Sequence, residues 1–203
     1  FGGFVDSIQV ENTTLTAASI RDILVAKFDN DLDLVWMKQF YSNGGNLSGG
    51  IACNDRNDIF FSFDFWGEIN YGGPYSPTPP GSTDLILFKL DEDGNIIWHK
   101  KSTGPGSLNI EDVSVTSSGK VALVARYRGQ ENFDGTIINS TPTNLPDVFF
   151  VSYTDNTLAA LPVNCEGNLG LTDLTTPEMI LIYPNPAQET ISITVHGNAQ
   201  KAL

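Results

Sequence analysis

The chain has 203 residues, 40% of them hydrophobic and 10% aromatic, with a formal net charge of −13. That composition is globular, sufficient for one mid-sized domain with a core, or for one domain and a piece of another. The acidic balance argues against nucleic acid and anionic lipid as partners, and no apolar run reaches the ~18 residues of a membrane-spanning segment.

Taken in chain order, the opening "FGGFV" reads as the middle of a domain, so a fragment or processed form is expected, and a missing leader says nothing against secretion. "DILVAKF" (22–28) is apolar on both faces and is followed by the turn sequence "DNDLD" (29–33). Cys53, in the strand-like "GIACND", is expected to pack as a small hydrophobe, and nothing supports a bridge to Cys165. "DIFFSFDF" (58–65) is another apolar run, and a Gly/Pro/Ser/Thr-rich loop follows it. Four strands are predicted next: "DLILFKL" (84–90), "NIIWHKK" (95–101), "EDVSVTS" (111–117) and "KVALVARY" (120–127), joined by Asp-Gly and Ser-Gly turns. "DVFFV" (147–151) is the last apolar run of this part, and no stretch has a sustained helical period.

These elements recur. With residues 22–73 laid on 84–135 without a gap, an offset of 62, ten of 52 positions are identical. They include Asp22/Asp84, Lys27/Lys89, Trp36/Trp98, Lys38/Lys100, Gly67/Gly129 and Asn70/Asn132. A third copy opens at "DVFFVSYTDN", shifted by 63. Strands apolar on both faces belong in a sheet covered on both sides. Trp36 and Trp98 are then expected to fill the wedge between successive sheets, with carbohydrate stacking as the alternative.

The pattern D-[IL]-x-[VL]-x-K-[FL]-D, a turn, an apolar-W-x-K strand and F-x-G-type ends resembles the bacterial β-propeller repeats, including the SBBP-type repeats of secreted proteins. The resemblance covers residues 1–163 and implies an all-β fold of four-stranded antiparallel blades, about 2.5–3 of them, and an extracellular setting, but no reaction. Closure needs at least ~4 blades, so a partial propeller is expected, with a β-sandwich as the structural alternative.

Residues 164–178 read as a linker, and "ILIYPNPAQETISITV" follows. Pro184 and Pro186 hold their neighbours extended, and "TISITV" alternates as a strand does. Ile182, Tyr183, Pro184, Asn185, Pro186 and Ala187 resemble the opening of the type A C-terminal sorting domain of type IX secretion, a small β-sandwich of which 179–203 would hold the first strand. The resemblance implies the type IX secretion machinery as a partner and a secreted or outer-surface location on a Gram-negative bacterium.

Chemistry is sparse. There are two histidines, His99 and His196, and no H-x-x-x-H, G-x-S-x-G or C-x-x-C spacing, so no catalytic residue is nominated. His99 is expected to face outward from its strand. Asp29, Asp31, Asp91 and Asp93 are the candidate calcium ligands, but position 12 of each loop is Phe40 or Ser102 rather than an acid, which favours plain hairpin turns. In the enlarged loop 66–80, Trp66, Tyr71 and Tyr75 beside Asn70 form a candidate platform for a glycan or a surface protein, against the plainer reading of a loop packed by its own rings. The function expected is therefore a secreted or cell-surface binding or adhesion module without catalysis. The alternative is the accessory propeller of a secreted hydrolase, a protease or glycosidase, whose catalytic part lies outside this chain.

Overall fold

The computed structural model describes residues 1–18, 20–42, 44, 46–71, 74–75, 81–140, 146–154, 178–183 and 192–196. Among them there is no helix, and none therefore that is long and apolar enough to cross a membrane. In chain order the strands are β1 (Gly2–Phe4), β2 (Ser7–Val10), β3 (Thr13–Thr16), β4 (Asp22–Phe28), β5 (Leu34–Ser42), β6 (Asn46–Cys53), β7 (Ile59–Phe65), β8 (Ile69–Asn70) and β9 (Pro74–Tyr75). They continue with β10 (Asp84–Leu90), β11 (Ile96–Thr103), β12 (Ser107–Val115), β13 (Lys120–Arg128), β14 (Gln130–Phe133), β15 (Thr136–Asn139), β16 (Asp147–Thr154), β17 (Glu178–Tyr183) and β18 (Ser192–His196).

Three antiparallel sheets carry these strands in the orders β1-β4-β5-β8-β9, β15-β14-β11-β10-β7-β6 and β12-β13-β16-β17-β18, and β2-β3 is a separate hairpin. The registers match between sheets. Lys27 opposes Trp36 and Phe28 opposes Leu34 across a bulge in the first sheet. In the middle sheet Lys89 opposes Trp98 and Leu90 opposes Ile96 across the same bulge, each residue 62 positions later. Tyr41 with Asn70 and Thr103 with Asn132 are related by the same offset. β6 with β7 and β12 with β13 are hairpins within one sheet; the chain passes to the next sheet between β5 and β6 and between β11 and β12, and returns to the preceding one for β8-β9 and β14-β15.

The strand grouping differs from the one expected. Residues 84–127 do not make one sheet: β10 and β11 share a sheet with β7 and β6, β10 pairing with β7, whereas β12 and β13 share one with β16, β13 pairing with β16. The third expected strand starts at Ser107 rather than 111. The Gly-rich stretches after β7 and β13 also hold the short hairpins β8-β9 and β14-β15, whose first strands cross back to the outer edge of the preceding sheet. Strands of two to four residues are too short to show a period in sequence, which is why they read as loop.

The middle sheet is buried on both faces. Towards the first sheet, Phe61, Phe63, Ile86 and Phe88 meet Ile23, Val25 and Phe40. Towards the third, Phe60, Leu85 and Leu87 meet Leu108, Val121, Leu123 and Phe149. All seven residues of β7 and all seven of β10 are buried, which explains their unbroken apolar runs. Phe61 stacks on Phe88 with ring centroids 5.0 Å apart, and Phe40 meets Phe61 edge-on at 4.9 Å. Such ring pairs add about 0.5–1.5 kcal/mol each beyond the area they bury. Trp36 packs against the first cluster and Trp98 against the second, and Trp36 Nε1 donates to the Glu92 carbonyl at 2.9 Å in the β10–β11 turn.

Two further expectations meet the structure differently. Cys53 is exposed on β6 rather than packed in the core, because the inward position of that strand end falls to Ala52. Residues 178–183 form β17, which pairs with β16 (Val148 opposite Ile182, Val151 opposite Met179), and β18 extends that edge. The tail strands thus sit within the third sheet, where a separate sandwich was expected. Cys165, residues 164–177 and Pro184, Asn185, Pro186 and Ala187 lie outside the described residues.

Candidate functional site

The residues of the expected aromatic platform lie between the end of β7 and β9. β7 ends at Phe65, and Trp66 follows it half-buried, so close to Gly44 that a β-carbon there would lie 2.5 Å from Trp66 Cδ1. Gly67, at φ 78°, then turns the chain into β8. β8 lies against the end of β5, and Asn70 Nδ2 donates to Tyr41 Oη at 2.7 Å. Tyr71 leaves β8 pointing at the neighbouring sheet. Its ring meets Phe88 edge-on at 5.3 Å and His99 at 4.9 Å, and its hydroxyl lies 3.2 Å from His99 Nε2. Tyr75 opposes Ile69 in the hairpin, and its side chain is outside the described residues.

Asn70 and Tyr71 are therefore joined by Tyr41 and His99, two residues absent from the sequence-based set. His99 is exposed, but it lies on the face towards the first sheet rather than outward, and it closes the seam between the first and middle sheets. Its signal was the pairing of His99 with Phe88, which places both on the face towards Tyr71, and this requires the register. Burial holds the His99 imidazolium pKa below its usual range, helped by the Lys101 and Lys100 charges, and burial pushes the Tyr71 phenol up. At neutral pH the seam thus offers two hydroxyls, an amide and a neutral imidazole beside ring faces.

The candidate calcium aspartates serve their own turns. Asp29 Oδ1 accepts from the Asp31 and Asp33 amides at 3.0 and 2.9 Å, and Asp91 Oδ1 accepts from Asp93 and Asn95 at 3.0 and 2.7 Å. These bonds, with a third from Asn95 Nδ2, pull the Asp91 carboxyl below its usual range. Asn54 repeats the arrangement with Arg56 and Asp58. Among the described residues no group of three or more His, Cys, Asp or Glu is placed to hold a metal ion.

The perturbed acids lie elsewhere. Glu131, on β14, is fully buried and pushed up to about 8, first by burial and then by the neighbouring Asp84 carboxylate, with the Ser102 hydroxyl opposing. It fills space left by Gly104 and Gly106; a β-carbon on Gly106 would lie 2.6 Å from Glu131 Oε1. Asp64 is raised to about 7 by burial and accepts from Asn109 Nδ2 at 3.0 Å. Both carboxyls are sealed from solvent, which suits them to holding β14 and β12 in place rather than to meeting a substrate. No protein-family model and no curated protein sequence matches this chain.

Proposed function

We propose that the chain is a non-catalytic binding or adhesion module made of propeller-type blades, from a protein that type IX secretion carries out of a Gram-negative cell and leaves at the outer surface or releases. The observation that carries the reading is the stack itself: a middle sheet buried on both faces, flanked by sheets of matching register, with hairpins laid along their outer edges. A stack of this kind fixes loops rigidly on a common rim, a frame for recognition. The Tyr41–Asn70–Tyr71–His99 seam supports a neutral, hydroxyl-rich ligand, a glycan or a glycosylated surface protein, because ring faces stack on sugars while amide, hydroxyl and imidazole exchange hydrogen bonds. The Ile182–Ala187 sequence supports the type IX secretion machinery as a partner.

A glycan array probed with the whole chain tests the binding reading. Binding is expected to fall at least tenfold in Tyr71→Ala and Tyr75→Ala, with Trp66→Ala intermediate and unchanged far-ultraviolet spectra as the fold control. No binding, or binding indifferent to all three changes, overturns it. Replacing Pro184, Asn185 and Pro186 by alanine in a type IX-competent host tests export: cell retention is expected, and unaltered export overturns that part. Glycosidase or protease activity in the full-length protein would favour the accessory-domain alternative.

A further inference from the structure

The separate hairpin β2-β3 is a third copy of the hairpins that return to a sheet edge. The residue before its first strand has positive φ, 57° at Asp6 against 78° at Gly67 and 84° at Gly129, and Glu11 in its turn (φ 49°) matches Asp134 (φ 48°). Positive φ at residues other than glycine is uncommon, so agreement at both places goes beyond a generic hairpin. Ala17 N donates to Asp6 O at 2.7 Å, as Ser140 N donates to Gly129 O at 2.8 Å. The rungs agree one for one: Ser7 opposes Thr16 and Val10 opposes Thr13, and 123 positions later Gln130 opposes Asn139 and Phe133 opposes Thr136. What differs is the partner. β8 pairs with the end of β5 (Tyr41 with Asn70) and β14 with the end of β11 (Thr103 with Asn132), whereas β2 pairs with β3 alone. Burial follows pairing: Glu131 and Phe133 are buried, and Ile8 and Val10 in their places are half-buried. The hairpin is nevertheless fixed beside the first sheet, because Gln39 Nε2 donates to Thr16 O at 2.9 Å and Leu34 N to Glu11 Oε1 at 2.6 Å. The outer edge of β2 is therefore a row of amides and carbonyls held ready for a strand.

We infer that β2 docks on the end of an outer strand of a further sheet of this kind, one that lies ahead of β1 in the same polypeptide. The order of the chain assigns it. After β7, the chain returns from the middle sheet to lay β8 on the first, and after β13 it returns from the third to lay β14 on the middle. β1 holds in the first sheet the place of β7 and β13 in theirs: Phe4 opposes Asp22, as Phe65 opposes Asp84 and Tyr127 opposes Asp147. The hairpin that follows β1 therefore returns to the sheet before the first. A second copy of the chain does not offer that sheet, because among the described residues the ends of its outer strands β5, β11 and β17 are already taken by β8, β14 and β18. The receiving strand runs antiparallel to β2 and sets opposite Gln9 the residue that corresponds to Tyr41 and Thr103, covering Ile8 and Val10. This depends on the repeat of the hairpins and not on the binding or export proposed above.

Amide hydrogen exchange tests it. In the whole chain, the Ser7–Val10 amides that do not bond β3 should exchange at least ~100-fold faster than their equivalents in Gln130–Phe133, at every protein concentration. They should slow to the rate of those equivalents when the chain is produced with the residues that its reading frame encodes ahead of Phe1. A second measurement uses the chain's own outer strand as the receiver. With residues 7–16 put in place of 130–139, ten for ten, exchange at Ser102 and Thr103 should stay within about tenfold of the wild type, whereas a Gly/Ser segment of equal length there should raise it ~100-fold. Protection of β2 in the chain alone overturns the open edge, and if that protection is lost on dilution the occupant is a second copy. Unchanged exchange in the longer protein, or a reading frame that encodes no further sheet, overturns the occupant. Protection that comes only with a different protein overturns its place in the same polypeptide. A transplanted hairpin no better than the Gly/Ser segment overturns β2 as an edge that an outer strand accepts.

Discussion

Strands β10 and β11 are neighbours in one sheet, joined by a single turn, and they live in different surroundings. Every residue of β10 is buried, including the charged Asp84 and Lys89. Along β11 only Ser102 is buried, and Ile97 is 45% exposed. β10 is central, with a sheet packed on each face, whereas β11 is covered in part, by β14 at its edge, by Tyr71 reaching across from β8, and where Ile96 and Trp98 pack on the two clusters. Stability is concentrated in the centre of the stack, and the Asn70–Tyr71–His99 seam sits at the margin, where side chains are held but still reachable.

The sharpest way to break this contrast is a pair of truncations. Phe88→Ala removes a ring that touches Phe40, Phe61, Phe63 and Tyr71, with centroids 5.2, 5.0, 6.1 and 5.3 Å away. Its expected cost is about 3–5 kcal/mol in urea unfolding. Ile97→Ala on β11 should cost less than about 1 kcal/mol. Equal losses would show that centre and margin are not distinct.

The same contrast explains what could be read from the residues. The apolar runs of β7 and β10, free of alternation, announce strands covered on both faces, and the 62-residue offset brings Trp36 and Trp98 to matching places. The margin was less legible. Glu131 looks like an ordinary loop acid until β14 crosses back onto β11, and Tyr71 meets His99 only because two sheets abut. Such contacts depend on inter-sheet geometry, to which local pattern is blind. Cys53 misled for a related reason: near a strand end, a one-residue difference in facing separates core from solvent, and Ala52 takes the inward place.

Glu131 sharpens the comparison through pH. Its carboxyl is raised from the ordinary 4.5 to about 8 in the folded chain, so the folded state binds that proton more tightly than the unfolded one. Its contribution is therefore complete below about pH 4.5 and is lost as pH rises through about 8. Asp64, raised to about 7, works in the same direction over a lower window. Wild-type stability should decline between pH 5 and 9 by on the order of a few kcal/mol, and Glu131→Gln should flatten much of that slope. Hydrogen exchange at β14 and β15 should quicken with pH in the wild type more than in the variant. Parallel pH profiles for the two proteins would show that the buried acid does not hold the margin.

The smallest expected effect compares two turns of one design. In 29–33 and in 91–95 an aspartate side chain accepts amides two and four residues on, and the fourth residue is left-handed: Gly94 at φ 79° and Leu32 at φ 67°. A leucine there costs about 1–2 kcal/mol relative to a relaxed backbone, partly offset by the unfolded-state entropy that glycine would add. Leu32→Gly should therefore stabilise the chain by about 0.5–1 kcal/mol, the more readily because Leu32 is 78% exposed and forfeits little packing. Gly94→Ala should do the reverse, since its β-carbon would lie 2.9 Å from Lys38 Cε and 3.1 Å from the Trp36 ring as well as sitting at positive φ. A loss of about 1–2 kcal/mol is expected. If the two changes shift the melting temperature in the same direction, the turns are not equivalent, and the matching of the first sheet to the middle one fails at the place where their backbones agree most closely.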